Sequence, residues 1–133
     1  MPSQANALIL DSARPMRERL ETAARHWVEA GRTSDLLATG CAFFMAQCWI
    51  NFIGDRQQHN DNVSKNVRDF IAAAKAALGG EAGWNSFLSQ RDSCCECQMT
   101  FRLENLGICT ACAEYVCGAC RERHAVCAGE VVG

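Results

Sequence analysis

Residues 94–127 decide how the second half of the chain folds, and they read CCECQMTFRLENLGICTACAEYVCGACRERHAVC. Seven cysteines and one histidine form four pairs, each with two residues between its members: Cys94 and Cys97, Cys109 and Cys112, Cys117 and Cys120, His124 and Cys127. A two-residue gap lets both side chains of a pair bind one ion, and four pairs supply the eight ligands of two tetrahedral zinc ions. The sequence therefore predicts two structural zinc ions per chain, bound by these eight residues.

The ten cysteines of the chain could instead form disulfides, which require an oxidising compartment. The first six residues carry no basic side chain, and the apolar run from Leu8 to Leu10 is too short for the core of a signal peptide. The paired spacing therefore favours metal binding, and the chain is expected to be cytoplasmic.

The four pairs can share two ions in two ways. In the sequential arrangement the first two pairs bind one ion, whereas in the crossed arrangement the first and third pairs do. On a continuous helix the residues from Cys117 to Cys127 form one stripe about 15 Å long, too long to surround one zinc ion whose bonds are about 2.0–2.3 Å. A continuous helix favours the crossed arrangement, and a break near residues 121–123 would permit the sequential one. Cys95 is left over, either as a spare thiol or as a competitor of Cys94 for the metal.

Between the first two pairs, residues 99–108 are expected to form a short hairpin, with Phe101 and Leu103 or Leu106 as its core residues. The acidic residues beside the ligands, Glu96, Glu114 and Glu122, are expected to be solvated surface charges. Eight ligands for two ions leave no open position for a catalytic zinc ion, and the sequence shows no catalytic constellation. We therefore expect a protein that is not an enzyme.

The stretch from Cys94 to Cys120 resembles the front two-thirds of a FYVE-type zinc finger. That family has a C-x2-C pair, a phenylalanine four residues later, a second C-x2-C pair, a four-residue gap and a third C-x2-C pair. The spacings from Cys97 to Phe101 and from Cys112 to Cys117 match. The wider relatives are the cross-brace, treble-clef fingers, which include the RING and PHD types. The resemblance covers residues 94–127 and implies a small two-zinc module of this kind.

The functions of these relatives depend on residues that this chain lacks. FYVE domains bind phosphatidylinositol 3-phosphate through basic residues around the second pair, where this chain has Ile108, Thr110 and Ala111. RING fingers that recruit ubiquitin-conjugating enzymes carry an apolar residue in the first loop, which is occupied here by Cys95 and Glu96. Residues 91–133 hold four basic and six acidic residues. Neither a phosphoinositide membrane nor nucleic acid is therefore expected as a partner.

Residues 1–90 are predicted to form a bundle of three or four helices, so that the fold is mostly α: a helical domain (1–90) followed by the zinc module (91–133). Residues 1–11 look like an irregular lead-in. Apolar residues at helical spacing predict a first helix up to Gly31 and a third that starts at Asp61 or Asn62 and ends at Gly79. A short fourth helix near residues 81–90 brings Trp84 and Phe87 to the core.

The second predicted helix contains a run of nineteen uncharged residues, 36–54. Such a run is long enough to cross a membrane, but Thr39, Gln47 and Asn51 interrupt it and no basic cluster flanks it. We interpret it as a helix buried on nearly all sides, within the bundle or between two copies of the chain. Homo-oligomerisation through residues 36–53 (Leu36 to Ile53) is one expectation. Cys41 and Cys48 on this helix are expected to be buried thiols.

These features together predict a non-enzymatic adaptor: a helical domain and a zinc module that bind a protein partner whose identity the sequence does not give. Two alternatives stay open. One is a RING-like module that recruits a ubiquitin-type conjugating enzyme, and the other is a small nucleic-acid-binding regulator.

Overall fold

A computed structural model describes residues 4–57, 63–126 and 131–133, without the side chains of residues 53–57, 125 and 126. In this part of the chain five α-helices precede five short strands. The helices are α1 (Gln4–Ile9), α2 (Met16–Glu29), α3 (Gly40–Gln57), α4 (Lys65–Leu78) and α5 (Gly80–Leu88). The strands are β1 (Arg91–Ser93), β2 (Thr100–Arg102), β3 (Leu106–Cys109), β4 (Tyr115–Cys117) and β5 (Val131–Val132).

Helices α2 and α4 pack against each other through apolar residues at helical spacing. In α2 the buried side chains include Leu20 and Trp27, and in α4 they include Phe70. The rings of Trp27 and Phe70 meet edge to face with their centroids 5.7 Å apart. Helix α4 begins at an N-cap, Ser64, whose hydroxyl accepts a hydrogen bond from the backbone N–H of Val67.

Helix α3 lies at the centre of the fold. Residues 42–46 are all buried, as are Cys48 and Trp49, so its apolar side chains are covered on several sides by α1, α2, α4, β3 and β5. This burial within one chain accounts for the absence of charge in the first part of the helix. A second copy is not needed to cover these buried side chains, and association through residues 36–53 stays a prediction. None of the described helices is long and apolar enough to cross a membrane.

The strands form two small antiparallel sheets. Strand β1 pairs with β2, with Asp92 opposite Phe101. Strand β3 is the centre of the second sheet, between β4 and β5, and Ile108 lies opposite both Tyr115 and Val132. The side chains of Ile108 and Val132 are fully buried, so this sheet completes the core beneath α3.

An aromatic cluster joins the helices to the second sheet. Trp84 and Phe87 of α5 stack on each other with centroids 5.9 Å apart, and both contact Phe44 of α3. Phe44 in turn meets Tyr115 of β4 edge to face at 5.7 Å. The prediction that Trp84 and Phe87 close the helical core agrees with these contacts, and Phe44 extends the cluster into the second half of the chain.

Two predictions about local structure were wrong, and of the two possibilities left open for the residues after Cys117 the continuous helix is not observed. Residues 4–9 of the expected lead-in form α1, which is held by two hydrogen bonds of 2.9 Å between Asn6 and Thr39. Residues 99–108 do not pair with each other, because β2 pairs with β1 and β3 pairs with β4 and β5. The residues from Cys117 do not form a continuous helix: Cys117 ends β4, and two 3-10 turns follow, Gly118–Cys120 and Arg123–Val126. Helix α3 also begins at Gly40, four residues later than Leu36.

Candidate metal centres

The first two cysteine pairs lie in loops of the same construction. In each loop the residue after the second cysteine donates its backbone N–H to the carbonyl of the first, Gln98 to Cys94 and Ala113 to Cys109, both at 2.9 Å. Both donors have positive φ, 64° at Gln98 and 60° at Ala113. These left-handed residues turn the backbone sharply, so that both thiols of a pair lie on the inner side of the loop.

The first group brings together the first and third pairs: Cys94, Cys97, Cys117 and Cys120. Their sulfur atoms all lie within 4.8 Å of one another, and the Cys97 and Cys117 sulfurs are 3.9 Å apart. Four Zn–S bonds of about 2.3 Å in a tetrahedron place sulfurs about 3.8 Å apart. The spacing therefore suits one tetrahedral ion with four sulfur ligands.

Hydrogen bonds from backbone N–H groups stabilise the thiolate form of Cys94 in this group. The N–H groups of Glu96 and Cys117 each donate to its sulfur at 3.4 Å. Burial raises the pKa of Cys94, but hydrogen bonds from the backbone N–H groups of Cys117, Cys97 and Glu96 outweigh burial and lower it to about 6. A metal ion binds the thiolate form of cysteine, so these bonds favour the form that a metal ion needs.

The second group brings Cys109 and Cys112 together with His124. The sulfur of Cys112 lies 3.4 Å from Nε2 of His124, close to the separation of about 3.6 Å that bonds of about 2.3 and 2.05 Å give in a tetrahedral zinc site. The N–H of Ala111 donates to the sulfur of Cys109 at 3.4 Å. The predicted fourth ligand, Cys127, lies outside the described residues. The three described side chains can hold one metal ion.

Glu96 links the two groups: it is exposed at the surface, as predicted, but it also makes a contact that the sequence did not indicate. It lies between Cys94 and Cys97, yet its Oε1 is 2.8 Å from Nδ1 of His124. The hydrogen bond with Glu96 raises the pKa of His124, against burial, which lowers it. With Nδ1–H donated to a carboxylate, Nε2 is the nitrogen free to bind metal. A carboxylate in this position fixes the tautomer and ring orientation of a metal-binding histidine.

Cys95 lies on the same side of the imidazole as Glu96. Its sulfur is 3.7 Å from Nδ1 of His124, and Cys95, Glu96 and His124 form a third set of nearby donors. The lone pairs of the two imidazole nitrogens point in divergent directions, so Cys95 does not reach an ion bound at Nε2. Burial and the neighbouring Glu96 raise the pKa of Cys95, so the thiol is the favoured form. Cys95 is absent from the first group of four, where Cys94 is the residue used.

The two groups of donors follow the crossed order, in which the first and third pairs come together. The sequence analysis favoured this order if the chain formed a continuous helix from Cys117, and that helix is not what produces it. The backbone turns at Arg121 and Glu122, between the two 3-10 turns, and this is the break expected to permit the sequential arrangement. Instead, β4 carries Cys117 to the first group, and the chain beyond the break carries His124 to the second. That these side chains bind metal stays a prediction.

The start of helix α2 and the turn before it bring positive charge to the second pair. A cleft of about 540 Å³ lies between the helix and residues Thr110 and Ala111, and its lining includes Arg14, Arg17 and Arg19. Sequence reasoning missed these arginines because they lie about 90 residues away from Cys109 in the chain. The one sequence feature that could have indicated this contact is the position of Arg19: it is a charged residue directly before Leu20, which belongs to the buried apolar stripe of α2.

Of the two lone histidines, His26 takes no part in these groups. His26 lies 3.3 Å from the side-chain amide of Gln4, and His59 lies outside the described residues. Cys41 and Cys48 are free thiols on α3, the first half-buried and the second buried.

Comparison with known proteins assigns no family. No family model matches the chain, and no curated protein or solved structure matches it significantly. The two groups of donors are compatible with a zinc-finger-like module, and the FYVE-type resemblance stays a prediction based on ligand spacing.

Proposed function

We propose that the two groups are structural zinc sites and that the chain is a non-enzymatic protein-interaction module built around them. Thiolate and imidazole ligands at these separations suit tetrahedral zinc better than oxygen-preferring cations such as magnesium. Pairing of the first with the third ligand pair, and of the second with His124, supports the cross-brace, treble-clef arrangement that the sequence resembles. The helical half buries the module from one side and leaves its loops accessible to a partner.

The observation that best supports a role in protein binding is the exposure of Met99. It is 62% exposed, the most exposed of the large apolar side chains among the described residues. Met99 directly follows the first metal loop, and its carbonyl accepts the backbone N–H of Cys94 at 3.0 Å. A flexible, exposed methionine beside a loop that a metal ion would hold rigid is suited to a protein contact.

A site-specific crosslinking experiment tests this role. A photoreactive residue at position 99 should give a discrete protein adduct in cells, and an equivalent residue at Arg25, exposed on α2, should not. The Met99→Asp variant should weaken binding of the isolated adduct protein by at least about tenfold, since it places a charge in an apolar contact. Equal adducts at both positions, or binding unchanged by Met99→Asp, would refute the proposal.

The two alternative functions predict different results with the same protein. A module that recruits a ubiquitin-type conjugating enzyme should accelerate discharge of the charged enzyme, and Met99→Asp should abolish that effect. A nucleic-acid-binding regulator should bind nucleic acid with an affinity that falls steeply with salt concentration. We expect neither result, nor sedimentation with phosphoinositide vesicles.

A further inference from the structure

Arg19 of α2 is a buried cation whose partners are neutral. The residue is only 4% exposed, and its guanidinium donates hydrogen bonds to the carbonyl oxygens of Arg14 at 2.7 Å, Ile9 at 3.1 Å and Thr110 at 2.7 Å. It also approaches the sulfur of Met16 at 3.2 Å. In the part of the chain that the structure describes, no carboxylate forms an ion pair with it.

A guanidinium group keeps its charge in proteins, and a buried charge is costly unless opposite charge or good hydrogen bonds offset it. Burial lowers the pKa of Arg19, and the negative charges of Asp11 and Cys109 act in the opposite direction. Asp11 is itself paired with Arg14 at 3.4 Å. Of these two residues, Cys109 belongs to the second metal group.

One peptide group connects Arg19 to that sulfur. The carbonyl oxygen of Thr110 accepts the hydrogen bond from Arg19, and the N–H of the same peptide unit, on Ala111, donates to the sulfur of Cys109 at 3.4 Å. A cation bound to the oxygen polarises the peptide group and strengthens its N–H as a donor. Arg19 is thus linked to the sulfur of Cys109 through a single peptide group of the Cys109–Cys112 loop.

We propose that Arg19 is a positioning residue of the second metal centre: a cation supplied by the helical half that holds the Cys109–Cys112 loop and offsets the charge of its thiolates. The inference rests on the proposed zinc sites. With Cys127 as the predicted fourth ligand, a zinc ion with three thiolates and a neutral imidazole carries a net charge of −1. The first centre receives no such contact from Arg19, so loss of this side chain should weaken the second centre selectively.

The test compares the metal affinity of each centre in the full-length chain. Zinc is titrated against a competing chelator, and cobalt(II) substitution distinguishes the two centres because their ligand sets give different absorption spectra. Arg19→Met, which removes the charge but keeps an unbranched side chain, should weaken metal binding at the second centre by about tenfold or more and leave the first unchanged. Arg19→Lys, which keeps the charge, should have a smaller effect.

Two controls separate this role from a loss of stability. Arg25→Met removes an exposed charge from the same helix and should change neither centre. Leu20→Ala removes a fully buried side chain next to Arg19, so it should destabilise α2 without changing the ratio of the two affinities. If Arg19→Met does not fold, Arg19→Gln takes its place: it removes the charge but keeps a side-chain donor, and it should likewise weaken the second centre alone.

The outcomes also separate this inference from the proposal beneath it. A wild-type chain that binds no zinc would refute the zinc sites. A chain that binds two zinc ions, with both centres weakened equally by Arg19→Met or with neither weakened, would refute only the role of Arg19.

Discussion

At the scale of single residues, the contact between Glu96 and His124 is the clearest link between the two metal groups. We predict that Glu96→Ala weakens metal binding at the second centre by about 10- to 100-fold, because the ring of His124 loses the carboxylate that fixes its tautomer. Glu96→Gln, which still offers an oxygen to Nδ1–H, should lose less. Chelator competition in the cobalt-substituted protein measures the change.

The matched control for Glu96→Ala is Glu122→Ala, which removes an exposed carboxylate from the turn before His124. It should leave both centres unchanged. Equal weakening in the two variants would mean that net charge, rather than the hydrogen bond to His124, determines affinity.

A second prediction at this scale concerns pH. Burial raises the pKa of Cys48 from its ordinary value of 9.0 to about 12, against Arg121, which lowers it. Between these values the unfolded chain releases this proton while the folded chain keeps it. The free energy of unfolding should therefore fall as pH rises from 9 towards 12, and Cys48 should contribute about 1.4 kcal/mol of that fall by pH 10.

Denaturant unfolding at pH 8 and pH 10 measures this contribution, with zinc present throughout. Cys48→Ala should lose less stability over this interval than the wild type. Tyr115, whose pKa burial also raises to about 12, is retained in both chains, so it does not affect the difference. Identical losses in the two proteins would show that Cys48 ionises as freely in the folded state as in the unfolded one.

At the scale of elements, the absence of a side chain at Gly107 lets β5 and the side chain of Arg121 pack closely against the backbone of β3. A Cβ at this position would lie 2.8 Å from Val131 Cγ1, 2.9 Å from the carbonyl oxygen of Val132 and 3.0 Å from Arg121 Nη2. We predict that Gly107→Ala lowers the free energy of unfolding by about 1–3 kcal/mol, the typical cost of overpacking. Gly118→Ala should cost almost nothing, because its Cβ would meet no atom within 4 Å. Equal stability of the two variants would contradict the close packing of β3.

The elements that sequence predicted well are those whose signal is local. Helices α2 and α4 carry apolar stripes at helical spacing, and α4 ends at Gly79 as expected. Helix α1 was missed because it is short and is held by Thr39, a residue 33 positions away from Asn6 in the chain. Such a contact leaves no periodic trace in the sequence.

The spacing of the ligands from Cys117 to Cys127 left a continuous helix and a broken one open, and the described part of this segment is broken for a different reason. Ligands at positions i, i+3, i+7 and i+10 share the periodicity of a helix, but the same spacing arises wherever two C-x2-C-type pairs follow each other closely. A metal ion requires only that each pair lies in a tight turn. The pairing of β4 with β3 then decides the backbone at Cys117, and that pairing depends on residues outside the motif.

The sequence identified the candidate ligands themselves, but it did not identify the residues that contact them. The spacing indicated the two members of each pair, because two-residue gaps impose local geometry, but it left open which pairs share an ion. The contacts of Glu96 and Arg19 with these groups depend on how the loops and α2 pack, and no motif encodes them.

At the scale of the whole molecule, the two halves share one interface. Helix α3 packs on β3 and β5, Phe44 contacts Tyr115, and Arg19 reaches Thr110. We predict that removing metal unfolds residues 91–133, which lose about 10 kcal/mol of stabilisation, while the helices keep most of their circular dichroism signal. Their melting temperature should nevertheless fall, because the face of α3 that packs on the sheet becomes exposed. Restoring zinc should reverse both changes.

Two results would contradict this picture of the two halves. Complete loss of the helical signal on chelation would show that they fold as one cooperative unit. An unchanged melting temperature would show that the interface contributes nothing to the stability of the helices.

The most direct test of the central claim, two metal ions held in crossed order, is to replace zinc with cadmium-113 and correlate each metal resonance with the cysteine and histidine protons coupled to it. We predict two resonances per chain. One should correlate with Cys94, Cys97, Cys117 and Cys120, and the other with Cys109, Cys112, His124 and Cys127. A single resonance, or one that joins the first pair to the second, would contradict the account.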